Sequence, residues 1–517
     1  MPFLPILACA IAASGLSVRA PAAPLLGPRA SLLIPYCVSL PGERVVDEAL
    51  FELSLFGSPM GRLRVQDLEL RNQGQQRQGA RVTMNVAMKR LGQGIEIAME
   101  ELMTYDGSGQ LAHFRTDLRM SSATQTTEGW VEGGQCRVVS RDGLTGTATE
   151  RRIPWDPEAV SEPQMEEDFK NLIRGPVGGS VRHKLFVPDL LQTAATTATL
   201  MGVETRQTVF GPKALHKIQV TMDLGALVNS NCWVDGEGEL YEQEIALGLF
   251  KMSAKRISGS ASQPLAASAA PEVFEAAILK VSPPILRPEE ARRAVYRLRF
   301  VPGSPPRIYE DEGQKSLGAQ GQTLRLEVVS RAPDSPFPMS RVRAPEDGSA
   351  YLAASPLIQC GDKEIRRTAL EAAGDETDAW KRAKRLEEWV HRYVREKSLG
   401  VGFASAKEVL QTREGDCTEH AALLVALCRA AGIPARAAEG LVYASSINGF
   451  GYHMWAEAYL DGWYDLDATR PGPMADATHI QLGASALENA IAGDLALQVL
   501  RSFGQFEIEV ESIEPGQ

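Results

Sequence analysis

The sequence predicts an α+β protein in which antiparallel β domains precede a C-terminal domain built on one apolar helix and the strands that follow it. Three observations predict this. From about Arg44 to Arg256, apolar residues alternate with polar ones, as at Phe51, Leu53 and Leu55 or Val82, Met84, Val86 and Met88; period two is that of a half-buried strand. Asp-Gly pairs at 106–107, 142–143 and 235–236 punctuate these runs, which is hairpin chemistry. Beyond residue 377 the period turns helical: Trp380, Ala383, Leu386, Trp389, Val390, Tyr393 and Val394 share a face, and Cys417 to Ala431 is apolar almost throughout.

Taken in order, the elements divide the 517 residues as follows. Residues 1–22 read as a signal peptide, with an apolar run from Phe3 to Val18 and a small-x-small site at Ala20-Pro21-Ala22. Export to the periplasm or the outside is the matching expectation. Residues 23–257 read as an antiparallel β-rich domain, interrupted by a short helix near Met165 to Ile173. The Ser/Ala/Pro-rich stretch 258–272 is a linker. Strand-like runs at Glu275–Val281, Val295–Val301 and Thr323–Val329 suggest a small β-sandwich-like domain over 273–354. Residues 355–485 form the helix-and-strand domain, and 486–517 a helix and strand extension.

Composition narrows the function classes. A hydrophobic share of 44% and a charged share of 23% are globular. The net charge of -11 argues against nucleic acid as a partner and against anionic membranes. No segment after the leader approaches the roughly 20 apolar residues of a spanning helix, so no integral span is expected in the mature chain. The seven cysteines, at 9, 37, 136, 232, 360, 417 and 428, contain no Cys-x-x-Cys pair, which excludes zinc-ribbon and thioredoxin-type readings. Spacing cannot choose among pairings of Cys37, Cys136 and Cys232. Cys428, mid-helix among Leu424, Val425 and Leu427, reads as a small core residue.

The chemistry concentrates around Cys417. It opens the apolar helix behind Asp416, a candidate cap, and the helix stops at Gly432 with Pro434 beyond. Amides at a helix N-terminus and a nearby imidazolium both favour thiolate over thiol. A thiolate splits attack on an unreactive amide into formation and breakdown of a thioester. Strand-like segments then bring His453 and Asp467. His420 competes with His453 as base, but it follows Cys417 by three residues on the same helix and points along it. His391 and His479 carry no comparable context, and the charged face of the helix after Asp378 reads as solvated. A Cys417, His420 and His453 metal site lacks a tight ligand cluster, so no metal and no cofactor is expected. Tyr452 and Trp455 are candidate cleft residues, and the loop Ala444–Gly451 a candidate gate. The register is a difficulty: a two-residue turn at Asp461-Gly462 pairs 453 with 470 and puts Asp467 on the face opposite His453. A bulge or a longer loop has to intervene if they meet.

Three segments carry a resemblance. Gly415-Asp416-Cys417-Thr418-Glu419-His420-Ala421, with Leu427 to Arg436 after it, resembles the nucleophile segment of the transglutaminase-like superfamily. His453-Met454-Trp455-Ala456-Glu457 resembles its His-x-Trp-x-Glu strand, and Trp463-Tyr464-Asp465-Leu466-Asp467-Ala468-Thr469 its final strand. The resemblance covers roughly 355–485. It implies a papain-like core, a cysteine-bearing helix packed on an antiparallel sheet, with Cys417 as nucleophile, His453 as base and Asp467 as orienting acid. It also implies thiol-dependent acyl transfer on amide or peptide bonds, with hydrolysis or deamidation favoured over cross-linking because water needs no second binding site. The substrate would be a protein or peptide, a cell-wall peptide among the options. The order of leader, β region and catalytic domain is similar to exported bacterial members. The competing expectation is a non-catalytic protein- or glycan-binding module with a vestigial site, which the presence of all three residue types disfavours. Oligomeric state stays open.

Overall fold

The computed structural model describes residues 42–258, 278–301, 308–395, 404–488 and 506–515, less short stretches at 73–74, 91–92, 121–122, 144–145, 147, 189, 225–226, 248–249, 346–347, 471 and 473. The expected signal peptide, nearly all of the expected linker and the helix expected after residue 486 lie outside the described residues. The described residues form two compact units, one within 42–141 and 148–258, the other within 278–515.

The first unit is a fifteen-stranded sheet. Strands from Glu43–Leu55 through Ala148–Pro154 each lie beside their chain neighbours, and on its other side Glu43–Leu55 pairs with Phe250–Arg256. From there the order runs back through successive hairpins to Ser180–Val187, beyond which the two-residue strand Ala159–Val160 lies parallel. The alternation has its physical reading here: Val82, Met84, Val86 and Met88 are all buried, with exposed or half-buried residues between most of them. At the Asp-Gly turns the Asp106 carboxylate accepts the amides of Ser108 and Gln110, and Asp235 those of Glu237 and Glu239. The helix Glu162–Ile173 is capped by Ser161 and buries Met165, Phe169 and Ile173. Among the described residues, Cys136, Cys232, Cys360, Cys417 and Cys428 form no disulfide and are buried. Burial pushes Cys136 up to about 11 and Cys428 to about 12, so both are chemically quiet.

Among its described residues the second unit holds two sheets and four α-helices. In one sheet, Ala291–Phe300 lies between Thr323–Val329 and the C-terminal strand Phe506–Pro515, with Gln314–Gln320 outermost. The region expected as a separate sandwich therefore takes an edge strand from the far end of the chain. Arg293 with Glu514 and Arg297 with Glu509 line that seam. The other sheet centres on Ala435–Ala444 and Gly449–Tyr459, an antiparallel hairpin, with His479–Ser485 on the outer side of the first. Trp463–Leu466 and Leu279–Lys280 pair with the free side of Gly449–Tyr459.

The helix Cys417–Ala430 packs on both central strands and against the helices Lys363–Ala373, Ala379–Tyr393 and Ala406–Thr412. Every residue from Cys417 to Arg429 is buried, which is why its sequence lacks a polar stripe. It ends as expected, with Gly432 at φ 82° and the Ile433 amide reaching back to the Cys428 carbonyl. The one guanidinium in its last turn, Arg429, is satisfied by the carbonyls of Ala353, Ala435 and Ala486. The two sheets are joined near the candidate site. Gln314 exchanges two hydrogen bonds of 2.8 Å with the backbone of Gln481, and the Tyr296 hydroxyl donates to the Ala477 carbonyl at 2.8 Å.

Candidate active site

Cys417 is the first residue of its helix, and its neighbours build the turn that holds it. The Asp416 carboxylate accepts the Thr418 amide and hydroxyl, both at 2.9 Å. Glu419 reaches back to the Asp416 amide at 2.9 Å and takes the Ala404 amide at 3.0 Å, completing a capping box. Asp416 thus caps the helix, the role its position suggested. Burial beside Asp416 pushes Glu419 well above the ordinary carboxylate range. Gly415 is required because a Cβ there would sit 2.2 Å from the Glu419 Cβ. His420 bonds through Nδ1 to the Asp416 carbonyl at 2.5 Å, within its own first turn.

His453 and Asp467 meet. His453 Nε2 lies 3.0 Å from Asp467 Oδ2. The register difficulty resolves in the turn: Tyr459 pairs with Trp463 and Ala456 with Leu466, so three residues, not two, connect the strands. The Leu460 amide donates to the Gly462 carbonyl across it. One extra residue shifts the register by one and turns Asp467 onto the face of His453. Asp467 itself follows the last paired residue, and Thr469 donates to its Oδ1 from amide and hydroxyl at 2.9 and 2.6 Å. With Nε2 committed to Asp467, Nδ1 is the ring atom left for a thiol.

Residues 366–468 match the family model of the transglutaminase-like superfamily. This segment is a transglutaminase-like core. An uncharacterized protein of Haemophilus influenzae is 33% identical over 121 residues, 23% of this chain; the match spans 32%, about a third, of that curated relative's length. Among solved structures, a candidate cysteine protease from Cytophaga hutchinsonii is 18% identical with a TM-score of 0.29, over 39% of this chain and 81% of its own. The periplasmic domain of TgpA from Pseudomonas aeruginosa, bound to ethylmercury, is 18% identical with a TM-score of 0.20, over 35% and 90%. A β-barrel-like protein from Brucella abortus is 14% identical with a TM-score of 0.31, over 41% and 95%.

Just beyond the matched segment lies a histidine to which sequence reasoning assigned no role. His479 Nε2 lies 3.3 Å from the same Asp467 Oδ2, and its Nδ1 lies 3.0 Å from the Asp476 carbonyl and 3.4 Å from the Asp476 carboxylate. Arg470 bridges the two aspartates at 3.7 Å each. A signal for this was present: Asp467-Ala-Thr469 recurs as Asp476-Ala-Thr478, and in both the threonine amide and hydroxyl donate to the aspartate. The helix Ala379–Tyr393 also turns polar residues inward. Glu387, paired with Lys384, accepts the Asp467 amide, and His391 Nδ1 donates to the Ala468 carbonyl at 2.9 Å. Lys381, Arg385, Glu388 and Arg392 are exposed, as expected of the charged face, while Glu387 and His391 brace the Asp467 segment.

These contacts set the charges. Asp467 is fully buried, which opposes ionisation, yet His453 and His479 hold its carboxyl well below the usual range. Burial lowers His453, and the cations Arg470 and His479 push the same way, so the pull of Asp467 does not reverse it. These contacts favour the neutral form of His453 over the imidazolium expected from sequence. The facing side-chain atoms of His453, Asp467 and His479 lie within 4.8 Å of one another, joined by the hydrogen bonds to Asp467 Oδ2.

The two candidate cleft residues are both buried and part company. Trp455 donates to Asp465 Oδ1 at 2.6 Å, stacks on His453 at 6.3 Å between centroids and sets its face against the edge of His479 at 5.2 Å. Tyr452, one residue from His453 on a paired strand, takes the alternate face. The expected gate is a pinned hairpin: Gly449 to Gly451 are paired strand, and the Tyr443 hydroxyl donates to Asn448 at 2.9 Å. Cys417 is 3% exposed and His453 7%.

Proposed function

We propose that the transglutaminase-like core catalyses thiol-dependent acyl transfer on amide or peptide bonds, through Cys417, His453 and Asp467. The observation that carries the reading is the His453–Asp467 contact of 3.0 Å, on a strand against which the cysteine-led helix packs. The neutral His453 accepts the Cys417 proton on Nδ1, and the thiolate attacks the carbonyl carbon. As the tetrahedral intermediate collapses, the C–N bond breaks and the imidazolium returns the proton to the departing amine. Water, deprotonated by His453, then cleaves the thioester to a carboxylate and restores the thiol. Asp467 holds Nε2–H and stabilises the imidazolium while it exists.

Hydrolysis or deamidation is the favoured outcome, since water needs no acceptor site. The substrate is a protein or peptide, and the chain is exported on the strength of its apolar leader. Incubation with glutamine-containing peptides and dansylcadaverine separates the outcomes as ammonia release, chain cleavage or fluorescent adduct. Acid or cleaved product is expected in excess over adduct, and Cys417→Ala is expected to abolish all three while keeping the wild-type circular dichroism. Turnover retained in that variant rejects the nucleophile. A folded wild type inert towards every peptide, with no acyl adduct after p-nitrophenyl acetate, favours the non-catalytic binding module.

A further inference from the structure

We propose that His479 is a positioning residue of this site: an imidazolium held between Asp476 and Asp467 that fixes the carboxylate orienting His453 and keeps His453 neutral at rest. The inference rests on the reading above for its catalytic meaning, but its geometry stands alone.

The protonation of His479 follows from its partners. Nδ1 faces the Asp476 carbonyl at 3.0 Å, an atom that can only accept. Nε2 faces Asp467 Oδ2 at 3.3 Å. That oxygen belongs to a carboxylate whose other oxygen already takes two donors from Thr469. With acceptors at both ring nitrogens, His479 carries both protons. The consequence agrees with its electrostatics: burial opposes the charge, but Asp476 and Asp467 overcome it and raise His479 to about 10, while Asp476 is held at about 2.

Fixed charges then nearly cancel without His453. Asp467 and Asp476 contribute two negative charges, His479 and Arg470 two positive ones. A proton on His453 would add a third cation to a buried cluster that already balances. The other groups facing it do not change this. Asp465 is tied to Trp455 and raised by burial, and Glu387 is raised by burial to about 7 beside Lys384. Position is governed by the same contacts. Asp467 lies beyond the last paired residue of its strand, so its Oδ2 takes a second hold from His479, itself rooted in the paired strand His479–Ser485.

The test is a pH titration of the full chain labelled at histidine Cε1 with carbon-13, read by NMR, with the rings assigned by His→Gln substitution. In wild type, His479 is expected to stay an imidazolium to at least pH 8 and His453 to titrate below its ordinary value of about 6.5. In His479→Gln, the His453 midpoint is expected to rise by about one pH unit, and the acid limb of Cys417 alkylation by iodoacetamide to rise with it. A purely structural role would lower the alkylation rate at every pH and leave both midpoints in place, which overturns the proposal. A neutral His479 at pH 7 in wild type overturns it with no variant needed, should His479→Gln fail to fold. Histidine signals that refuse to titrate until EDTA is added would mean a bound metal, and would overturn it too. The ring titration is read without turnover, so it stands or falls separately from the assignment of Cys417.

Discussion

Asp467→Asn is expected to slow acylation of Cys417 by p-nitrophenyl acetate by about 10²–10⁴-fold, the range of a lost general-base function. The reason lies in donors and acceptors. Oδ2 receives His453 and His479, and Oδ1 receives the amide and hydroxyl of Thr469. All four partners donate, and a carboxylate meets them with acceptors only. An amide offers one oxygen and one NH2, so in either orientation two donors confront the NH2 group. The imidazole then turns or changes tautomer, and Nδ1 is no longer the free base. The burst of p-nitrophenol, followed by stopped flow, reads this directly. A loss of less than tenfold, with the fold intact, would show that Asp467 does not orient the base.

Arg436→Ala is expected to cost about 3–5 kcal/mol of stability, the usual consequence of stranding a buried charge partner. Arg436 makes two bonds to the Glu457 carboxylate, at 2.7 and 3.1 Å, a third to the Tyr309 hydroxyl at 2.9 Å, and lies 3.9 Å over the Trp463 ring. Glu457 is buried and already pushed up to about 7 with Arg436 present, and Gln481 is its other donor, at 3.1 Å. Without the guanidinium it must take up a proton or remain an uncompensated charge. Chemical denaturation followed by tryptophan fluorescence measures the loss. Arg436→Ala combined with Glu457→Gln should recover part of it, since the double variant leaves no buried charge.

The elements most legible in sequence were those whose partners are close along the chain. The cysteine helix announces itself through thirteen consecutive buried positions and an end marked by Gly432. The capping role of Asp416 was readable because its donor is two residues away. What failed was register and non-local pairing. The strands around Asp461-Gly462 look like a two-residue hairpin, and nothing in those letters shows that Leu460 joins the turn. Yet that single residue decides whether Asp467 faces His453. His479 was passed over because its strand pairs with Ala435–Ala444, not with the strand before it in sequence. Its role exists only once the sheet order 279–449–435–479 is assembled. The C-terminal strand Phe506–Pro515 was expected as an extension, and its partner, Ala291–Phe300, lies some two hundred residues earlier.

The proposed mechanism turns on His453 governing the reactivity of Cys417. The most direct measurement is the pH dependence of Cys417 alkylation by iodoacetamide, followed by peptide mass spectrometry in wild type and His453→Ala. The wild-type rate is expected to hold down to an acid limb below about 6.5, set by His453, and the limb of the variant to move up towards the free-thiol value of about 8.5. Coincident profiles near about 8.5 in both proteins would contradict it.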